Sequence, residues 1–166
     1  ARFWTNREVT GAHSIPQRLL IIGGGVVGVE MAQAYARFGC TVALIEAAPQ
    51  ILPGEDARVG ASIAASLAED GVEIHTGVTA TSVHGGEHEQ RVALSDGTEL
   101  RGNELLVATG RRPATDGLGL EALPVKLERG AIEVDARLRA APGIYAIGDA
   151  NGIHLTTHTG KYQARV

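Results

Sequence analysis

A second cysteine is missing from this 166-residue chain. With it goes any internal disulfide or dithiol redox pair, because Cys40 has nothing to pair with. Redox chemistry here would need a cofactor or another chain. Long apolar runs are missing too: none approaches the roughly 18 residues that cross a bilayer. The opening ARFWTNREVT carries neither a basic n-region nor an apolar h-region. No membrane association is expected, and the location is expected to be cytoplasmic. Nor is there an excess of positive charge. Fifteen Lys and Arg stand against nineteen Asp and Glu, a formal charge of -4, which leaves no electrostatic footprint for nucleic acid. The 22 glycines and 6 prolines fall short of a low-complexity composition, and 44% of residues are hydrophobic. A chain of this length makes about one folded domain.

From Arg18 the chain reads RLLIIGGGVVGVEMAQAYARFGCTVALIE. Residues 19–22 are all apolar, which predicts a parallel strand buried on both faces and covered by helices. Residues 26–38 are rich in alanine and free of proline, a helix stopped at Gly39, where a left-handed C-cap is wanted. Residues 41–45 supply a second strand and close a βαβ unit. After a loop marked by Pro53 and Gly54, Asp56 is the candidate N-cap of an alanine-rich helix ending at Asp70, followed by a short strand at 72–75. Between 78 and 101 the apolar period falls to two, with Gly85-Gly86 and Asp96-Gly97 as turns, which predicts an antiparallel meander. Residues 104–108, ELLVA, read as another central strand. Extended segments at 125–127, 131–134 and 143–147 precede a poorly patterned coda from Asp149. The expected fold class is α/β: a Rossmann-like parallel sheet with a βαβ dinucleotide-binding unit and an inserted antiparallel β-meander.

Gly23, Gly25 and Gly28 spell G-x-G-x-x-G immediately after a predicted strand and at the opening of a predicted helix. Such a turn needs Gly23 for a tight bend, Gly25 so that backbone can approach a pyrophosphate, and Gly28 so that helix and strand pack closely. The helix N-terminus adds unpaired N–H groups and the positive end of its dipole. Glu46 ends the next strand, 18 residues past Gly28, close to the spacing at which a carboxylate reaches the adenosine ribose hydroxyls. Residues 47–52 contain no Arg or Lys to receive a 2′-phosphate, so NAD is favoured over NADP; Arg58 on the next helix is the first cation in reach. Val26, Val27 and Ala47 complete this cofactor-binding set.

The remaining candidates are plainer. His154 and His158 stand at i, i+4 but lack an acidic or thiol co-ligand, so no metal site is expected. Arg111 and Arg112 are open between clamping an anion and pairing with surface acids. Cys40 reads as a small core residue, and there is no nucleophile-elbow pattern.

GGGVVGVEMA followed by GCTVALIE resembles the central NAD-binding domain of the pyridine nucleotide-disulfide oxidoreductases, flavoproteins that include dihydrolipoamide dehydrogenase, glutathione reductase and mercuric reductase. ATGRRP, residues 108–113, is similar to the family's strand-end loop at the nicotinamide half of the cofactor. GIYAIGDANG, residues 143–152, is similar to its second flavin motif. The resemblance implies that Glu30 and Gly110 lie near the nicotinamide and that Asp149 contacts the ribityl chain of FAD. It also implies an NAD-binding domain over 1–148 and, over 149–166, the remnant of a return into an absent FAD-binding domain.

The family's first G-x-G-x-x-G, its paired cysteines and its C-terminal dimerisation domain with the catalytic His are not in this sequence. No catalytic residue is therefore assigned, and the chain alone is expected to be inactive, its partners being the absent FAD-binding and dimerisation domains. Val26 is aliphatic where several relatives carry an aromatic lid over the flavin. The expected function is to present the nicotinamide of NAD(H) for hydride transfer with FAD. The alternative is a stand-alone NAD-binding or sensing module, against which Asp149 speaks, since a sensor needs no flavin ligand. Phe3, Trp4, Ile144, Ile147 and Leu155 are expected near the boundary with the absent domain, so that self-association through exposed apolar side chains is expected.

Overall fold

In the computed structural model, which describes residues 2–86 and 89–165, a short helix α1 (Asn6–Thr10) leads into β1 (Arg18–Ile22), α2 (Val26–Arg37), β2 (Thr41–Glu46), α3 (Ala57–Glu69) and β3 (Glu73–Thr76). A meander of β4 (Ala80–Gly85), β5 (Gln90–Leu94) and β6 (Glu99–Gly102) follows, and then β7 (Glu104–Val107). Strands β3, β2, β1 and β7 form, in that order, a four-stranded parallel sheet; the meander is a separate antiparallel sheet. This is the α/β architecture that the sequence pattern calls for. Residues 87 and 88, just after the expected Gly85-Gly86 turn, lie outside the described residues.

Side chains along the central strands alternate between two cores, as the pleat requires. Leu19, Ile21, Val42, Leu44 and Leu106 pack with Ala32 and Tyr35 of α2 and Leu67 of α3. Leu20, Ala43, Ile45 and Leu105 pack instead with Val92, Leu94 and Leu100. Both faces of β1 are thus buried, but the expectation of helices on each is corrected: the second face is covered by the meander. Strands β5 and β6 can cover a sheet because their alternation turns Val92, Leu94 and Leu100 inward, with Gln90 buried on the same side of β5, and leaves Arg91 and Arg101 exposed. Each fully buried leucine in these layers contributes about 1.5 to 3 kcal/mol over leaving it in water.

Helix α2 ends at Arg37 with Gly39 at φ +87°, and Asp56 caps α3 by accepting from the Arg58 N–H at 2.9 Å. Trp4, one of the apolar side chains expected near the boundary with the absent domain, is buried. Its N–H donates to the Leu105 carbonyl at 2.7 Å and its carbonyl accepts from the Val107 N–H at 2.9 Å, so its backbone extends the sheet beyond β7. Phe3 and Ile147 are exposed.

Cys40 is buried directly after Gly39, and burial pushes its thiol pKa up, partly countered by the Leu19 backbone. A raised pKa keeps the neutral thiol: its contribution to stability is complete at neutral pH and is lost only as pH rises through the raised value. Alkylation by iodoacetamide at pH 8 is therefore expected to be at least about 100-fold slower in the folded chain than in urea. Equal rates would show the site to be open.

Contacts divide the chain into two compact units, Ala1–Gly110 and Arg111–Val166. The domain boundary expected after residue 148 falls inside the second. That unit contains two short antiparallel pairs, β8 (Leu127–Glu128) with β9 (Ala131–Ile132) and β10 (Arg139–Ala141) with β11 (Ile144–Tyr145). A 3-10 turn (Gly148–Asn151) and the seven-residue α4 (Thr157–Gln163) follow. His154 precedes α4, so the two histidines do not share a helix; among the described residues no group of three or more His, Cys, Asp or Glu is placed to hold a metal. No helix of the described residues is long and apolar enough to cross a membrane.

Candidate functional site

The turn between β1 and α2 separates its glycines by cause. Gly23 has φ +111°, and a Cβ there would lie 2.4 Å from the Ala108 carbonyl oxygen. A Cβ on Gly28 would lie 1.9 Å from the carbonyl oxygen of Gly23. Both glycines are demanded by the protein's own packing. Gly25 is not: its φ is -74°, and a Cβ added there would meet nothing within 4 Å. It is the N-cap of α2, no side chain caps that helix, and Val26 beside it is exposed. The donors at the start of α2 are therefore left for something outside the fold. Val27, half-buried, follows in the first turn.

Glu46, half-buried at the end of β2, is held by two backbone donors. Its Oε2 accepts from the Gly24 N–H at 2.6 Å and its Oε1 from the Ala48 N–H at 2.7 Å. Each oxygen keeps a second lone pair for a further donor. Gly24, absent from the sequence reading of the site, belongs to it: a Cβ there would sit 2.9 Å from the Cβ of Glu46. The only signal was a third glycine in GGG ahead of a strand-end acid. A cleft of about 310 Å³ opens at the carboxyl ends of β1 and β2, lined by Gly23, Glu46, Ala47, Val78, Thr79 and Thr109. Arg58 is turned to its own cap, pairing with Asp56 at 3.0 Å.

Glu30 is exposed on α2, and Gly110, also exposed, closes the first unit at φ +148°. Asp149 is exposed in the 3-10 turn of the second unit. The expected residues from Gly23 to Gly110 are thus gathered in one unit, and Asp149 belongs to the other. In that second unit Arg111 donates through Nη1 to the Leu155 carbonyl, so it pairs with backbone rather than with a surface acid. A larger hollow of about 440 Å³ there is lined by Arg111, Ala131, Ile132, Asn151 and Leu155. Its buried Asn151 is already engaged by Ala146, Gln163 and Ile153.

The sequence profile described as pyridine nucleotide-disulphide oxidoreductase matches residues 1–164. The chain belongs to this family. A dihydrolipoyl dehydrogenase of Thermus scotoductus is 43% identical over 161 residues, covering 93% of this chain and 35% of that protein. A mercuric reductase of Acidithiobacillus ferrooxidans is 41% identical over 149 residues, 89% of this chain and 27% of that one. Among solved structures, the HOCl-induced flavoprotein disulfide reductase RclA of Escherichia coli superposes with a TM-score of 0.91 at 34% identity, over 99% of this chain and 38% of that one. The chain thus spans about a third of the length of the relatives it matches, all of them oxidoreductases by name.

Proposed function

We propose that the first unit binds NAD(H) at the carboxyl end of its sheet and that, in the parent protein, it holds the nicotinamide for hydride transfer with FAD. The observation that carries this reading is Gly25: an open place over uncapped helix donors that no protein atom requires to be open. A pyrophosphate fits it, because backbone N–H groups and the helix dipole favour an anion by about 0.3 to 1 kcal/mol per contact. Gly23, Gly25, Val26, Val27 and Gly28 would hold the pyrophosphate. Glu46, with Ala47 beside it, would accept from the adenosine ribose hydroxyls, each charge-assisted bond worth about 1.5 to 3 kcal/mol. Glu30 and Gly110 would lie toward the nicotinamide half, and Asp149 would contact FAD in the parent protein. The bound cofactors supply the hydride chemistry; this chain supplies binding and orientation.

Calorimetric titration of the chain with NADH and NADPH tests the reading. With part of the natural site placed on the remainder of the parent, NADH is expected to bind in the regime of about 1 mM, near -4 kcal/mol. NADPH is expected to bind at least about tenfold more weakly, because its 2′-phosphate meets the Glu46 carboxylate. Equal or tighter binding of NADPH would overturn the assignment of Glu46, and no binding of either nucleotide would overturn the site.

A further inference from the structure

Both peptide groups flanking Gly24 are held from outside the glycine turn. The Gly24 N–H donates to Glu46 Oε2 at 2.6 Å, and the Gly24 carbonyl accepts from the Leu52 N–H at 2.8 Å. No peptide bond among the described residues is cis, and in a trans peptide the C=O and N–H point in opposite directions. The bond to Glu46 therefore turns the Gly23 carbonyl away from β2 and toward α2, where it occupies the place a Gly28 Cβ would need. The bond to Leu52 turns the Gly25 N–H away from the loop at 47–54, with no acceptor for it among the described residues.

Leu52 makes its bond from φ +51°, in the left-handed region that an L side chain disfavours. Such a conformation persists only where the surroundings over-determine it. They do so here: Ile51 beside it is 1% exposed, and Gly60 brings α3 so near that a Cβ would lie 2.9 Å from the Ile51 carbonyl. The loop is a fixed brace behind the turn.

We infer that Leu52 and Glu46 are positioning residues for the phosphate site, fixing from behind the direction in which the Gly25 N–H points. This rests on the reading of that turn as a pyrophosphate site. It gives Glu46 two separable tasks, accepting from a ribose diol and orienting the glycine turn, and gives Leu52 only the second. A nucleotide without the diol isolates the orienting task.

The test is an NMR titration of the 166-residue chain with ADP and with 2′,3′-dideoxy-ADP, following the Gly25 amide. The wild-type chain is expected to bind both and to shift that amide with both. Glu46→Ala is expected to weaken dideoxy-ADP by about tenfold, although that ligand offers Glu46 no hydroxyl, and ADP by more. Glu46→Gln, which keeps one acceptor oxygen, should fall between. Replacing the Leu52 amide by an ester removes only the N–H and should weaken both nucleotides by a similar factor of about five to ten, leaving their ratio unchanged. Thermal melts of the Gln and ester forms confirm that folded protein is being compared. Unchanged dideoxy-ADP affinity in the Glu46 variants together with an inert ester would overturn the brace and leave the site standing. A wild-type chain that binds neither nucleotide would overturn the site and the brace with it.

Discussion

Gly23→Ala is expected to destabilise the chain by about 2 to 6 kcal/mol, combining the strain of a left-handed backbone with an overpacked Cβ. The added Cβ would lie 2.4 Å from the Ala108 oxygen at φ +111°. No rotamer relieves a clash between Cβ and backbone. Nor can the backbone back away, since the Gly23 N–H is bonded to the Ile45 carbonyl at 2.8 Å and Ala108 is bonded to Ile22 at the same distance. A loss of this size is a large share of the roughly 5 to 15 kcal/mol of a typical domain. Urea unfolding followed by circular dichroism would show it as a lower midpoint at unchanged slope. A variant as stable as the parent would mean that the turn relaxes in a way the packing does not allow.

The opposite pattern is expected at Gly25. Gly25→Val should cost less than about 1.5 kcal/mol, the loss of a tolerable N-cap residue, because a Cβ there has no protein atom within 4 Å. NADH binding should nevertheless fall beyond detection, since the branched side chain takes the volume assigned to the pyrophosphate. Measuring stability and binding on the same preparation separates the two outcomes. If Gly25→Val binds NADH like the parent, the phosphate lies elsewhere; if it unfolds, Gly25 has a structural duty that the packing does not reveal.

The strand before and the helix after give the G-x-G-x-x-G spacing a local context, so the turn at Gly23, Gly25 and Gly28 could be read from the sequence, although the backbone that bars a Cβ from Gly23 belongs to Ala108, 85 positions away. Gly24 could not. Its constraint comes from Glu46, a contact between residues 22 positions apart. The apolar run of β1 correctly implied two covered faces but not the nature of the covers, since a helix and an antiparallel sheet bury the same leucines equally well. Trp4 joins the sheet through one residue, too little for any periodicity. The strands paired in the second unit are two or three residues long, too short for a period to mark β10 at Arg139–Ala141. Leu52 shows the limit from another side: nothing in the letter Leu announces a left-handed backbone, which the surrounding contacts impose.

The Trp4 backbone also bears on how copies of this chain can meet. An open sheet is a template for strand addition, and its two outer strands are where aggregation begins. At β7 the Leu105 carbonyl and the Val107 N–H, the groups an incoming strand would seek, are already taken by Trp4. At the other border β3 is only four residues long and carries Glu73 and His75, paired with each other at 2.9 Å, with Glu73 also bound to Arg18. A short charged border and an occupied one leave little room for runaway polymerisation along the sheet. Self-association by adding strands to this four-stranded sheet is then disfavoured at both of its borders, which leaves other surfaces of the chain as the places where copies can meet and saturate at a finite oligomer.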